Sequence, residues 1–457
     1  MKSILLSFTT LLTAGIASVT AAETAQPNIV VVMADDMGWG DSATYGHPTI
    51  QSPNIDKLAQ QGMKFTQGYS ACGVCSPSRS AILTGRTPYR NGVWRHLSGH
   101  HEAHLRTSEI TYPELLKDIG YQTCHIGKWH LLSRQQFNNP DYPNPGEQGG
   151  YDYWFASQNN ADPSHKNPHN FIRNGKAVGE LKGYSAPLVA DETIHWLKDL
   201  RDPKKPFVLS VWFHEPHKPI ATDIKFSSLY PNEKEKEATY FGNITQLDYA
   251  LGEIMDTLEA EGLADNTMLI FTSDNGPVTS VGGSSGGLRS GKRSDYEGGI
   301  RVPFVVRWPG KIKAGSVSDT PVIGTDIFST VLDMVNIPAP TDRTIDGASM
   351  LPIFAGKKAD RKIPLFWRTH VSAAECRVAL RIGDWKIVGN DTLTDFKLFE
   401  VQKDWKEEND LAKEMPEKTA EMKKVLLNTW KDIQSEGPKE WWLEEKAKPF
   451  RGSTLGY

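Results

Sequence analysis

Residues 28–36, NIVVVMADD, constrain the fold more than any other stretch of the chain. A β-branched run this uniformly apolar suits a strand covered on both faces, and it ends abruptly in Asp35 and Asp36. Three further segments do the same. NTMLIFTSDNGP stops at Asp274 and Asn275, YQTCHIGKWHL runs into Lys128 and His130, and PFVLSVWFHEPHKP runs into His214 and His217. Helical stretches lie between them, and that alternation points to an α/β sheet. In open α/β sheets ligands bind outside the carboxyl ends of the strands, so four polar strand ends argue for one shared site. Taken singly, each reads as a turn, because Asp and Asn start turns routinely.

Asp35, Asp36, Asp274 and Asn275 offer oxygen donors only. That set favours Ca²⁺ or Mg²⁺ over zinc, and a divalent cation also removes the repulsion among three crowded carboxylates.

The rest of the chain sets limits. With 457 residues, 39% hydrophobic and 23% charged, it has the profile of a globular protein with a large domain and a smaller one. A net charge of −4 leaves no basic field for nucleic acid. Residues 1–22 carry one Lys, an apolar stretch and the small-residue end Val19-Thr20-Ala21-Ala22, which reads as a secretory signal cleaved after Ala22. The expectation is an exported protein, periplasmic or secreted, with no stable membrane insertion. After Asp346-Gly347 the pattern changes: VALRIGDWKIVGN and FKLFEV read as antiparallel strands and PEKTAEMKKVLLNTWKDIQ as an amphipathic helix. This gives a large domain over residues 23–350 and a C-terminal subdomain over 351–457.

Residues 72–86, CGVCSPSRSAILTGR, hold a C-x-x-C pair. Cys72, Cys75, Cys124 and Cys376 are too few for a disulfide scaffold, no second ligand pair completes a zinc clip, and the context is not a thioredoxin-like βαβ unit. Pro77 can open a helix and Gly85 can close it, which places residue 75 at a helix N-terminus suited to an anion.

The run Cys75-Ser-Pro-Ser-Arg79, followed by Leu83-Thr84-Gly85, resembles the signature of the formylglycine-dependent sulfatases, C-x-P-S-R then x-x-x-[LM]-T-G. Cys72 has no place in that pattern. Segments PNIVVVMADDMGWGD, SPNIDKLAQQGMKF, GYQTCHIGKWHL, FTSDNGP and GKRSDYEGGIRVPFVVRWPG are similar to sulfatase segments in family order. The flavour is that of N-acetylgalactosamine-6-sulfatases and bacterial galactan sulfatases.

The resemblance implies an alkaline-phosphatase-like fold: a large mixed, mainly parallel sheet sandwiched by helices, with a smaller C-terminal antiparallel sheet plus helix. It implies conversion of Cys75 to formylglycine by a sulfatase-maturating enzyme before folding, and one Ca²⁺ held by Asp35, Asp36, Asp274, Asn275 and residue 75. Asp274 would deprotonate one hydroxyl of the hydrated aldehyde for attack on sulfur. His217, with Lys292 beside it, would protonate the departing alcohol, and His130 would deprotonate the second hydroxyl to release sulfate. Lys128 and Arg79 would spread positive charge over the sulfate oxygens; His214 is left as structural.

Segments VWRHLSGHHEAHL and NNADPSHKNPHNFIRNG depart from the family core and are expected to read the sugar, through His96, His100, His165 and Arg173. The expected substrate is a sulfate ester on a galactose-type sugar of an extracellular oligosaccharide. The rivals are a broad arylsulfatase, a phosphatase or phosphodiesterase on the same fold, and a catalytically dead glycan-binding protein.

Overall fold

The computed structural model describes residues 26–97, 103–137, 139, 141–146, 148–370 and 375–437. The expected signal segment, His100 and residues 438–457 lie outside them.

Four of the apolar runs are the central strands: β1 (Asn28–Ala34), β2 (Gln122–Lys128), β3 (Phe207–Trp212) and β4 (Thr267–Ser273). They lie side by side in the order β4-β1-β3-β2 and all run parallel. The sheet grows to ten strands, with Phe304–Arg307 antiparallel beside β4 at one flank and Tyr153–Ser157 parallel beside β2 at the other. It is thus mixed and mainly parallel at its heart.

Both faces are covered, as the unbroken apolar runs require. Ile29, Val31 and Met33 of β1 pack with Ile82, Leu83 and Trp129 on one face. Val30, Val32 and Ala34 pack on the other with Ile244, Leu247 and Leu251 of the long helix Glu235–Ala260. Because the strands are parallel, their carboxyl ends share one edge of the sheet, and Asp35, Lys128, His214 and Asp274 arrive there together.

Past residue 364 the chain forms a separate four-stranded antiparallel sheet, Leu365–Arg368, Val378–Ile382, Trp385–Gly389 and Phe396–Glu400. Met422, Leu426, Trp430 and Ile433 of helix Pro416–Glu436 bury one side of it. Among the described residues no helix is long and apolar enough to cross a membrane.

Candidate active site

Cys75 is the first residue of helix Cys75–Thr84, preceded by the extended Val74 and closed by Gly85 at a φ of 68°. A β-carbon at Gly85 would meet the Phe328 ring at 2.6 Å, so position and backbone both call for glycine. All ten helical residues are buried. Burial pushes the Cys75 thiol up, against the pull of Lys128 and Lys292.

Cys72 points elsewhere. Its sulfur lies 3.5 Å from the Thr369 hydroxyl of the C-terminal sheet, and burial with nearby Asp295 pushes its pKa up to about 12. All four cysteines are free thiols, so Cys72 and Cys75 form no disulfide.

Around residue 75 three cations meet three carboxylates, pair by pair. Arg79 contacts Asp274 at 2.6 Å, Lys128 contacts Asp35 at 2.6 Å, and Lys292 contacts Asp36 at 2.5 Å. Arg79 also lies over the Trp212 ring, 5.4 Å from its centroid. Burial raises the Asp274 carboxyl and Asp35 adds to that, while Arg79 and Lys128 oppose it. Burial works against the Lys292 ammonium too, but Asp36 and the neighbouring acids outweigh it and hold its pKa above the ordinary value.

Local backbone sets these positions. Asp36 takes a left-handed φ of 67°, and its N–H donates to Asp274 Oδ1 at 3.1 Å. Gly127, at φ 110°, lets β2 approach β3: a β-carbon there would stand 2.0 Å from the Trp212 carbonyl oxygen. Lys128 is thereby delivered to Asp35.

A divalent cation fits this donor set. Asp35 Oδ1, Asp36 Oδ2 and Asn275 Oδ1 are buried and accept no hydrogen bond, an expensive arrangement unless something cationic faces them. The Asn275 amide nitrogen donates to Asp36 Oδ1 at 2.8 Å and to the Gly276 carbonyl at 2.9 Å, which leaves its oxygen open to a cation. Ligand atoms of Asp35, Cys75 and Asp274 lie within 4.8 Å of one another, as do those of Asp35, Asp36 and His217.

Two histidines flank the cluster in defined tautomers. His217 Nδ1 donates to the Lys218 carbonyl at 2.5 Å, leaving Nε2 free 3.6 Å from Asp36 Oδ2. His130 Nε2 donates to the Leu97 carbonyl at 2.8 Å, leaving Nδ1 without a partner. Burial, with Lys292 and Lys128 at His217 and with Lys128 at His130, holds both well below the ordinary imidazole pKa. His214 is fixed by Ser157 at 2.7 Å and Ser185 at 2.9 Å, in keeping with a structural role.

The sugar-reading expectations fare unevenly. His96 reaches the site, its ring 4.9 Å from that of His130 and a ring nitrogen within 4.8 Å of the Cys75 sulfur. His165 is fully buried beside His214, ring centroids 5.5 Å apart, with neither ring nitrogen hydrogen-bonded; burial and Lys128 push it down to about 3. Arg173 sits on the edge strand Ile172–Arg173 and its guanidinium grips Glu192 at 2.5 and 2.6 Å. Arg293, which the reading of the loops passed over, lies within electrostatic reach of Asp36 and Cys75; the Lys-Arg pair in GKRSDYEGG was its signal.

The sulfatase family model matches residues 27–337, and the model for the C-terminal region of N-sulphoglucosamine sulphohydrolase matches residues 290–435. The N-acetylgalactosamine-6-sulfatase of Canis lupus familiaris is 33% identical over 392 residues, covering 79% of this chain and 71% of that one. The N-acetylgalactosamine-6-O-sulfatase of Bacteroides thetaiotaomicron is 29% identical, covering 88% and 92%. Among solved structures, that of Ps i-CgsB in complex with k-i-k-neocarrahexaose superposes with a TM-score of 0.80 at 25% identity, covering 91% and 94%. With its signature cysteine opening a buried helix amid three acid–base pairs, the chain belongs to the sulfatase family and is a sulfuric ester hydrolase.

Proposed function

We propose that the chain removes a sulfate ester from a galactose-type sugar of an extracellular sulfated oligosaccharide. The observation that carries this is the set of orphaned oxygens of Asp35, Asp36 and Asn275, with Lys128 and Lys292 at their sides and the Cys75 sulfur within 4.8 Å of carboxylate oxygens of Asp35 and Asp274. The sugar class rests on relatives that bear the N-acetylgalactosamine-6-sulfatase name and on the structural neighbour that holds a neocarrahexaose.

Asp35, Asp36, Asp274 and Asn275 would hold one Ca²⁺, whose charge supplies Lewis-acid polarisation of the sulfate group. Formylglycine, made from Cys75 by a sulfatase-maturating enzyme before folding, would supply two hydroxyls on one carbon, one for attack on sulfur and one for release. The chain's own residues do the rest. Asp274 accepts the first hydroxyl proton. Lys128, Lys292 and Arg79 bind sulfate oxygens in a water-poor pocket, where fixed positive charge acts most strongly. His130 presents its open Nδ1 as the base for the second proton. His217 is held neutral without substrate, and an arriving sulfate raises its proton affinity so that it can protonate the departing alcohol. His96 and the buried His165 are the candidates for contact with the sugar. Residues 1–22 would direct export to the periplasm or beyond.

The test is sulfate release across defined sulfated galactans, glycosaminoglycans and fucans. Turnover greatest on a galactose-type 6-sulfate or 4-sulfate supports the reading. Preference for fucose or glucosamine sulfates overturns the sugar assignment, equal turnover of simple aryl sulfates marks a broad arylsulfatase, and faster phosphate ester cleavage marks a phosphatase or phosphodiesterase.

A further inference from the structure

The Cys75 sulfur belongs to two ligand sets of different chemistry. It stands within 4.8 Å of carboxylate oxygens of Asp35 and Asp274, the hard donors already described. The same sulfur and one ring nitrogen each of His96 and His130 also lie within 4.8 Å of one another. Backbone and side-chain bonds fix this second set. Cys75 opens its helix, and Leu97, the residue after His96, donates its N–H to the Ser76 hydroxyl at 3.2 Å. The Leu97 carbonyl in turn accepts from His130 Nε2 at 2.8 Å, and the His130 N–H donates to the Gln158 carbonyl at 2.7 Å. The two imidazoles meet edge to face, ring centroids 4.9 Å apart and planes at 83°.

Thiolate and imidazole are zinc donors, whereas the oxygens of Asp35, Asp36, Asp274 and Asn275 suit Ca²⁺. A tetrahedral Zn²⁺ holds sulfur at about 2.3 Å and imidazole nitrogen at about 2.0 Å, so its donors stand about 3.5 Å apart. Modest side-chain rotations bring donors that already lie within 4.8 Å to that spacing. At His130, fully buried, Nδ1 has no hydrogen-bond partner, so its lone pair is open to a metal. Burial first, then the nearby lysines, keep both imidazoles neutral, the form that ligates. Lys128 and Lys292 oppose a cation here, but each is held against a carboxylate, Asp35 at 2.6 Å and Asp36 at 2.5 Å, which offsets its charge.

We propose that the thiol form of this protein carries a metal site distinct from the oxygen set, for a thiophilic divalent cation such as Zn²⁺, built from Cys75 Sγ, His96 and His130. Binding forms one metal–sulfur and two metal–nitrogen bonds and releases the thiol proton to solvent; no electron is transferred. Three protein ligands leave the fourth tetrahedral position to water or an anion. Exchange of the sulfur for oxygen, as in formylglycine, withdraws the one soft anionic donor and moves residue 75 into the hard set. The ion that residue 75 prefers is thus set by its own chemical state, whatever sugar the enzyme takes.

The experiment uses the full chain made without a sulfatase-maturating enzyme, its Cys75 thiol verified by peptide mass spectrometry and its metals stripped by a chelator. Zn²⁺ is titrated against a chromophoric chelator, and Co²⁺ serves as a spectroscopic stand-in. Wild type should bind Zn²⁺, and Co²⁺ should show a thiolate-to-metal charge-transfer band with the intense visible bands of a four-coordinate ion. Cys75→Ser should abolish the charge-transfer band. Cys75→Ser, His96→Ala and His130→Ala should each weaken the tightest Zn²⁺ binding about ten-fold or more, and formylglycine-containing protein should do the same. Cys72→Ser, whose sulfur faces Thr369, should bind as wild type does. Unchanged Zn²⁺ affinity in Cys75→Ser or in the formylglycine form puts the metal on the carboxylates and overturns the site. The wild-type Co²⁺ spectrum decides the matter even where a variant fails to fold: weak six-coordinate bands without charge transfer also overturn it.

Discussion

Two nitrogens of Arg79 converge on one oxygen of Asp274, Nε at 2.9 Å and Nη2 at 2.6 Å. The other oxygen of that carboxylate is left to accept the Asp36 N–H. The contact ties the helix that starts at residue 75 to the ends of β4 and β1, so one side chain holds three elements in register.

Arg79→Ala removes one partner of a fully buried pair, a change that costs about 3–5 kcal/mol. The expected result is a clear drop in the urea midpoint together with a loss of activity on the order of 10²–10³-fold. Arg79→Lys keeps the charge but not the two-pronged grip, and it should recover stability better than turnover. Near-normal kcat in folded Arg79→Lys shows that the paired contact is dispensable.

Prolonged treatment with a chelator should abolish turnover and lower the thermal midpoint, because a ligand bound only to the folded state at 100 times its Kd contributes about 2.7 kcal/mol. Ca²⁺ or Mg²⁺ should restore both readouts. Restoration by Zn²⁺ alone contradicts the all-oxygen donor set of Asp35, Asp36, Asp274 and Asn275.

Peptide mass spectrometry of active enzyme should find formylglycine at position 75 and an ordinary cysteine at position 72. Cys75→Ser should bind substrate without turnover, whereas Cys72→Ser, whose sulfur meets Thr369, the Arg368 carbonyl and the Val74 backbone, should keep most of its activity. A free thiol at residue 75 in fully active protein rules the modification out.

Acid stability should depend on Glu297. Buried Lys386 lies 2.8 Å from it and 3.0 Å from Glu407. Burial works against ionisation of Glu297, but Lys386 and Arg301 outweigh it and hold the carboxyl at about 2, below the ordinary 4.5. A depressed acid stabilises the fold fully above its unfolded pKa, so this contribution is present above about pH 4.5 and is lost as pH falls toward 2. Glu407 runs the other way, raised to about 7 by burial and by Glu297 despite Lys386. Denaturant midpoints between pH 4.5 and 2 should therefore fall less steeply in Glu297→Gln than in wild type. Parallel slopes in the two proteins refute the linkage.

The core of the site was legible because a parallel sheet delivers every strand end to one edge. NIVVVMADD and NTMLIFTSDN read as strands of one sheet with polar carboxyl ends, and their parallel pairing in the fold brings Asp35 and Asp274 together. Helix Cys75–Thr84 was legible from Pro77 and Gly85. What escaped was decided by partners distant in sequence. Arg173 is paired with Glu192, 19 positions on, which its own segment does not announce. His165 looked like a loop residue, yet the fold closes over it beside His214. The left-handed turns at Asp36, His130 and Arg293 aim side chains in ways that residue type alone does not announce.

The Thr369 hydroxyl donates to Asp295 and lies 3.3 Å from the Gly73 N–H, a contact between positions 296 apart in the chain. Trp367 adds a bond to the Ser70 carbonyl, and Lys386 reaches Glu297 from the same small sheet. During synthesis the segment around Cys75 leaves the ribosome early, while the residues that wall it in emerge near the end. The Cys75 segment is therefore made well before the strands that cover it, and its cover is complete only once those strands have docked. Shortening the chain from its C-terminus would therefore do more than trim a flank, for it would leave that door permanently ajar.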